Sequence, residues 1–318
     1  MTPAVRPRLR PRLALGVSGA LAAVLLGGCS LPDGAAPAPS SSSPAEGVAS
    51  GTPAPEPEVS TQTLAADGIE MLLSVPLTET DETDEGDESG GATDAPVTVT
   101  PDEDGSSRVA FVLALPAASA GDADATSGPV AAPPATLDLV SPADGSLVRN
   151  SDGSLSVLDA AGTTLGGFSA PEATEASGPA ARAGVVVVEP TRAEVHVQAE
   201  GAAASGAPGE TSPTPQSVTV TTWLGAQGVR SATWGEREGG RSLAVDPTPW
   251  ARLSGMVGEA TAWAQLVASE PEAGSRTMRD QFDCHALGAT DKATWNLEPW
   301  RPDVGFLATA AARCNPTG

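Results

Sequence analysis

The chain has 318 residues, of which 35 are glycine, 30 are proline and none is tyrosine; 40% are apolar and 3% aromatic. Its length suits about two domains, and so little apolar material beside so much glycine and proline suggests folded units separated by unstructured stretches. A formal net charge of −23 argues against nucleic acid, or an anionic membrane surface, as a partner recognised through the bulk field.

Residues 1–28 read as an export signal. Arg6, Arg8, Arg10 and Arg12 precede a run of apolar or small residues from Leu13 to Leu26, and Gly27, Gly28 and Cys29 follow. Positive charge, a short apolar run and small residues at the cleavage point are the marks of a secretory leader. The run is too short to span a bilayer comfortably. "LGGC" resembles the bacterial lipobox, which makes Cys29 the lipid attachment site. The resulting expectation is a lipoprotein held by the cell membrane on its extracytoplasmic face; stable anchoring takes more than one acyl chain. A cleaved, unanchored product and an uncleaved anchor are the alternatives.

Residues 29–62 are a Pro/Ser/Ala tether unable to bury a core. Residues 63–224 form an acidic region rich in strand-like runs. Most of the negative charge lies before residue 217, much of it in "ETDETDEGDESGGATD" (79–94), a self-repelling block expected to be a solvated, disordered insertion. A calcium-loop reading fails there: counting Asp81 as position one puts Gly86 sixth, but Thr83 and Glu85 are wrong and the twelfth place is not Glu. Strand-like runs occur at 68–75, 96–100, 108–115, 136–140, 153–159, 184–190, 193–200 and 217–225. Several alternate, Asp-Gly turns precede two of them, and none has a helical period. The segment "DGSLSVLDAAGTTLGGFSAPEA" resembles a β-module of secreted proteins from high-GC Gram-positive bacteria.

Residues 225–318 differ in kind. Five of the six tryptophans lie here and the sixth, Trp223, at the edge. "ATWGEREGGRSLAV" predicts two strands around a Gly-rich turn. Thr248 and Pro249 supply a cap and a first helical position. Trp250, Leu253, Val257, Ala260, Trp263 and Val267 recur at helical spacing, with Gly255 and Gly258 as candidate breaks. A second helix would hold Met278, Phe282 and His285; a third would begin at Asp303 and carry Val304, Leu307 and Ala311. The fold class expected is α+β: a small disulfide-stapled C-terminal domain preceded by a β-rich domain with disordered acidic insertions.

Cys284 and Cys314 remain once Cys29 is lipidated. In an exported domain an even pair reads as a disulfide, and closing a loop of this length stabilises by about 3–4 kcal/mol in the chain-entropy model. A Cys284–His285 catalytic pair is disfavoured, because adjacent helical residues point to different sides. With only two histidines, His196 and His285, no zinc site or other metal site is expected. No cofactor motif and no catalytic residue is identified. Glu298 with Asp303, or Asp280 with Asp283, could in principle work as acid pairs in glycoside hydrolysis.

"WNLEPWRP" (295–302) admits two readings. In one, Trp295 and Leu297 alternate into a core, Pro299 ends the strand, and Arg301 pairs with Glu298 or stacks on Trp300. In the other, Trp295 and Trp300 form an aromatic platform with Asn296, Glu298, Arg301 and His285 as polar arms for a sugar or peptide.

The succession "ATWGEREGGRSLAVDPTPWAR", "AW", "MRDQFDCH", "WNLEPWRP" and "RCNP", over roughly residues 230–316, closely resembles domain of unknown function family 2599. The resemblance implies an exported protein with a paired "CH" and "CNP" disulfide, and brings no reaction with it. The expected function is a membrane-anchored cell-envelope lipoprotein whose C-terminal part is a non-catalytic binding module for cell-wall glycan or an envelope protein; the alternative is an envelope hydrolase acting on cell-wall glycan.

Overall fold

Alternation builds the strands. Ile69, Met71, Leu73 and Val75 are buried while the residues between them are exposed or half-buried, and Val109, Phe111, Leu113 and Leu115 repeat the pattern. Period two places each set on one face of a pleated sheet, and such a face needs a second layer to cover it. The computed structural model describes residues 58–77, 97–115, 130–175, 181–199 and 216–317. The signal segment, Cys29 and the acidic block 79–94 lie outside the described residues.

Two sheets supply each other's cover. The strands are β1 (Val59–Ala66), β2 (Ile69–Pro76), β3 (Val97–Pro101), β4 (Ser107–Leu115), β5 (Val130–Ala131), β6 (Ala135–Ser141), β7 (Ser146–Arg149), β8 (Leu155–Leu158), β9 (Thr164–Phe168), β10 (Glu172–Glu175), β11 (Ala181–Glu189), β12 (Arg192–Ala199) and β13 (Gln216–Gly225). One sheet runs β1-β2-β6-β12-β11 with β5 beside β12; the other runs β3-β4-β13-β9-β8-β7 with β10 beside β13. Leu73, Val75, Phe111, Leu137, Val195 and Val220 belong to one core drawn from both. The first strand starts inside the stretch 29–62 expected to be tether. Only Leu64 and Ala66 of β1 are buried, and its pairing with β2 along the full length makes it a strand.

The C-terminal part adds a third sheet and four helices. Its elements are β14 (Val229–Arg237), β15 (Gly240–Pro247), α1 (Pro249–Leu253), α2 (Met256–Ser269), α3 (Arg276–Gly288), β16 (Trp295–Leu297) and α4 (Phe306–Ala311), with the sheet ordered β14-β15-β16. Thr248 caps α1, its Oγ1 accepting from Ala251 N at 3.1 Å, and Pro249 takes the first helical position. The chain breaks at Gly255, whose φ of +67° suits glycine. That break resets the helical phase: the buried residues of α2 are Val257, Gly258, Thr261, Ala262 and Leu266, while Leu253 is turned out to solvent. Gly258 lies within α2, where a Cβ would collide with Ala251 of α1, so the two helices approach closely there. α4 starts at Phe306 rather than Asp303. Leu307 is 83% exposed and Thr309 is the residue it buries.

Trp250, Trp295, Phe282, Met278, Leu243 and Leu266 form the second core. Phe282 sits between Trp263 and Trp295, with ring centroids 5.3 and 5.2 Å away. Cys284 of α3 and Cys314, just past α4, form a disulfide.

The helical part is docked on the sandwich, and the described residues form one compact unit. Strand β13 belongs to the second sheet, yet its Trp223 packs into the second core. Trp223 Nε1 donates to Ser106 Oγ at 2.9 Å, and Trp250 Nε1 donates to Trp223 O at 3.1 Å. Gly167 on β9 makes room for α2; a Cβ there would meet Val257 Cγ2 at 3.0 Å.

Candidate functional site

Trp295, Leu297, Glu298 and Arg301 of "WNLEPWRP" are built into the interior. Trp295 is 1% exposed, and its Nε1 donates to Ala289 O at 2.9 Å. Glu298 is 1% and Arg301 4% exposed, and the Arg301 Nε donates to Glu298 Oε2. Arg301 also donates to Glu238 Oε2 at 2.7 Å and Pro316 O at 3.3 Å. Gln281 clasps the backbone of Glu298, donating to its O at 3.0 Å and accepting from its N at 2.9 Å. One guanidinium thus ties the β14–β15 turn, the segment after β16 and the C-terminal residues together. Burial alone would lower the Arg301 pKa; hydrogen bonds to Glu298 and Glu238 outweigh it and hold it above the ordinary value. Trp300 is 45% exposed, with Arg301 4.6 Å from its ring centre and Gly240 packed closely against it. Of the expected platform, only Trp300 and the half-buried Asn296 reach the surface.

His285 is buried beside the disulfide, its ring stacked with Trp295 at 6.4 Å and its Nε2 3.3 Å from Asn296 O. Burial, and the charge of Lys292, push its pKa down to about 4. It is therefore a neutral core histidine.

Of the acids weighed as pairs, Glu298 and Asp303 go to different partners, and Asp280, on the same helix as Asp283, is buried with its Oδ2 unpartnered among the described residues. Glu298 is spent on Arg301, and Asp303 lies at the surface facing Arg276. Arg279 links Asp283 to Glu259 of α2, standing 3.0 Å from Glu259 and 2.6 Å from Asp283. Burial, then the hydrogen bond and negative charge of Asp283, raise the Glu259 pKa to about 7 against the pull of Arg279.

An open concave surface lies elsewhere, where α1 and α2 meet the outer face of the second sheet. This cleft has a volume of about 480 Å³, within the range of small-molecule sites. Its floor is a grid of same-face residues on adjacent strands. Thr98, Ala110, Thr221 and Glu172 lie across one row, and Thr100, Arg108 and Trp223 across the next. Leu253, Ser254 and Gly255 form the far wall. Arg108 spreads its guanidinium 4.0 Å from the Trp223 ring centre and faces Asp102 at 3.4 Å.

Two aspartates hold the wall in place. Asp104 Oδ2 accepts from Trp250 N at 3.2 Å, and Asp152 Oδ2 accepts from Met256 N at 2.7 Å, so each caps the start of one helix. The other oxygen of each turns back to the serine two residues on. Burial would raise both pKa values. For Asp104 the hydrogen bonds from Ser106 and Trp250, and for Asp152 those from Met256 and Ser154, win and lower them. Sequence reasoning missed this arrangement. The one signal was Asp-Gly-Ser at 104–106 and 152–154, but the same tripeptide at 144–146 caps no helix in this way.

Comparison with known proteins finds matches to part of the chain. Uncharacterized protein Rv0477 of Mycobacterium tuberculosis and Uncharacterized protein Mb0487 of Mycobacterium bovis are each 40% identical to this chain over 93 residues, which is 27% of the chain and 61% of each relative. Uncharacterized protein ML2452 of Mycobacterium leprae is 37% identical over 59 residues, 17% of the chain and 48% of that protein. The chain therefore spans about 61% of the length of the first two relatives it matches. No solved structure matches. Residues 229–317, which hold the three-stranded sheet, all four helices and the disulfide, match the family model described as protein of unknown function, DUF2599.

Proposed function

We propose that this protein is a cell-envelope lipoprotein, tied to the membrane through lipid on Cys29, whose folded head binds a wall component or an envelope protein without cleaving it. The observation that carries the binding reading is the contrast between the two constellations. Glu298 and Asp283 of the C-terminal part are held by arginines, whereas the open cleft is lined by hydroxyls and presents, among the described residues, one uncommitted acid, Glu172. Asp152, the other carboxylate there, has both oxygens occupied by Ser154 and Met256. A two-acid hydrolysis needs a second free carboxyl. The leader and the "LGGC" segment support the anchor.

The test has two parts. Cells expressing the wild type and Cys29→Ser are labelled with palmitate and fractionated. The wild type takes up label and stays with membranes, while the variant does neither; an unlabelled wild type would remove the anchor. Purified head is then incubated with purified cell wall, and the reading requires retention without release of muropeptides. Release that vanishes in Glu298→Gln or Glu172→Gln would establish the hydrolase instead.

A further inference from the structure

We infer that the cleft between the second sheet and the α1–α2 junction binds a short stretch of uncharged oligosaccharide, with Thr98, Thr221 and Ser254 as hydroxyl partners and Arg108 as a planar donor. This deepens the binding reading by naming a site and a ligand class. The floor positions Thr98, Ala110, Thr221 and Glu172 follow one another across four hydrogen-bonded strands. Neighbouring strands are about 4.8 Å apart, so the row is roughly 14 Å long, and a chain of pyranose units can lie along it.

The lining chooses the class. Threonine hydroxyls both donate and accept, as sugar hydroxyls do, so either partner can rotate to suit the other. The small Ala110 leaves the middle of the row low. Ser254 on the wall is 2% exposed, and its Oγ has no hydrogen-bond partner among the described residues. A buried hydroxyl left unpaired costs free energy, and a ligand hydroxyl would supply the bond. Arg108 offers a flat cation already held on an indole, with Leu253 exposed across from it as an apolar lip. Charge argues against other ligands. Arg108 is matched by Asp102, Asp152 is engaged with Met256, and the free group among the described lining residues is the negative Glu172, so an anionic polymer meets no unmatched cation among them.

The experiment titrates the full chain with chitotriose and maltotriose by calorimetry. A galacturonate trimer and a tri-arginine peptide serve as charged probes. Saturable binding of at least one neutral trisaccharide is expected. Thr98→Val with Thr221→Val, isosteric changes that strands accept readily, should weaken it roughly tenfold or more, the scale of two lost neutral hydrogen bonds. Ala110→Trp should abolish it by filling the floor. If that variant fails to fold by circular dichroism, the threonine pair decides alone. Binding of neither trisaccharide, undiminished binding by the threonine variant, or tighter binding of a charged probe would each overturn the inference. Wall retention without trisaccharide binding would sink this ligand class and leave the binding reading standing; trisaccharide binding without wall retention would do the reverse.

Discussion

Replacing Arg301 with methionine tests whether Glu298 is a structural partner or a working acid. The substitution removes hydrogen bonds to Glu298, to Glu238 and to Pro316 O, and it leaves the Glu298 carboxylate buried without a cation. Unpairing one member of a buried ion pair costs about 3–5 kcal/mol. In a folded unit of this size, about 2–4 °C of Tm follows each kcal/mol, so a fall of roughly 10 °C is expected. Glu298→Gln should cost less, about 1–3 kcal/mol, because Arg301 keeps Glu238, whose side chain is 57% exposed and open to water. The double variant should cost less than the sum of the two, since removing both charges leaves no orphan. Urea unfolding at neutral pH, followed by tryptophan fluorescence, reads all three. A cost below about 1 kcal/mol for Arg301→Met, or a larger cost for Glu298→Gln than for Arg301→Met, would refute the internal-pair reasoning.

The remaining predictions concern the junction, the staple and the buried histidine. Asp104→Ala and Asp152→Ala should each destabilise by about 1 kcal/mol, the usual worth of a helix cap, and together should loosen amide exchange at the starts of α1 and α2. Both folded pKa values are depressed from 3.8, so this stabilisation is present above that pH and is lost as pH falls through the folded values. Variant and wild type should therefore converge in acid, and a gap undiminished at pH 2–3 would sink the charged-cap account. Cys314→Ser should cost about 3–4 kcal/mol and leave one titratable thiol on Cys284; unchanged stability would show the staple to be dispensable. The His285 pKa falls from 6.5 to about 4 on folding, so its neutral form stabilises above pH 6.5 and that contribution is lost as pH falls through 4. His285→Gln should flatten the stability–pH slope between those values, and an unaltered slope would assign it to another group.

Local patterns were legible wherever a residue's neighbours along the chain decide its fate. The alternation in β2 and β4 gave both the strands and their inward faces. Thr248 followed by Pro249 gave the start of α1 to the residue. β1 was hidden because its inward face has only Leu64 and Ala66, and its remaining residues resemble the polar stretch before it. The α4 face was misread because a six-residue helix is too short for its own apolar period to orient it. It is placed by the Cys284–Cys314 bond and by Thr309, so Leu307 points outward. Leu253 misled for a related reason: a positive φ at Gly255 interrupts the stripe to which it belonged by spacing.

From the sequence alone came the α+β class, the two-strand turn, the cap of α1, the cysteine pairing and the family resemblance of residues 230–316. All of these rest on bonds or periods spanning a few residues, or on a motif order that survives as text. Only the tertiary structure decided that Trp295, Glu298 and Arg301 face inward, and that an open surface is a cleft walled by helices whose caps come from Asp104 and Asp152, 146 and 104 residues earlier in the chain. An aspartate after a strand reads the same whether its carboxylate meets water or a helix start. Which one it meets depends on how the layers pack, and packing is set by the whole buried surface at once.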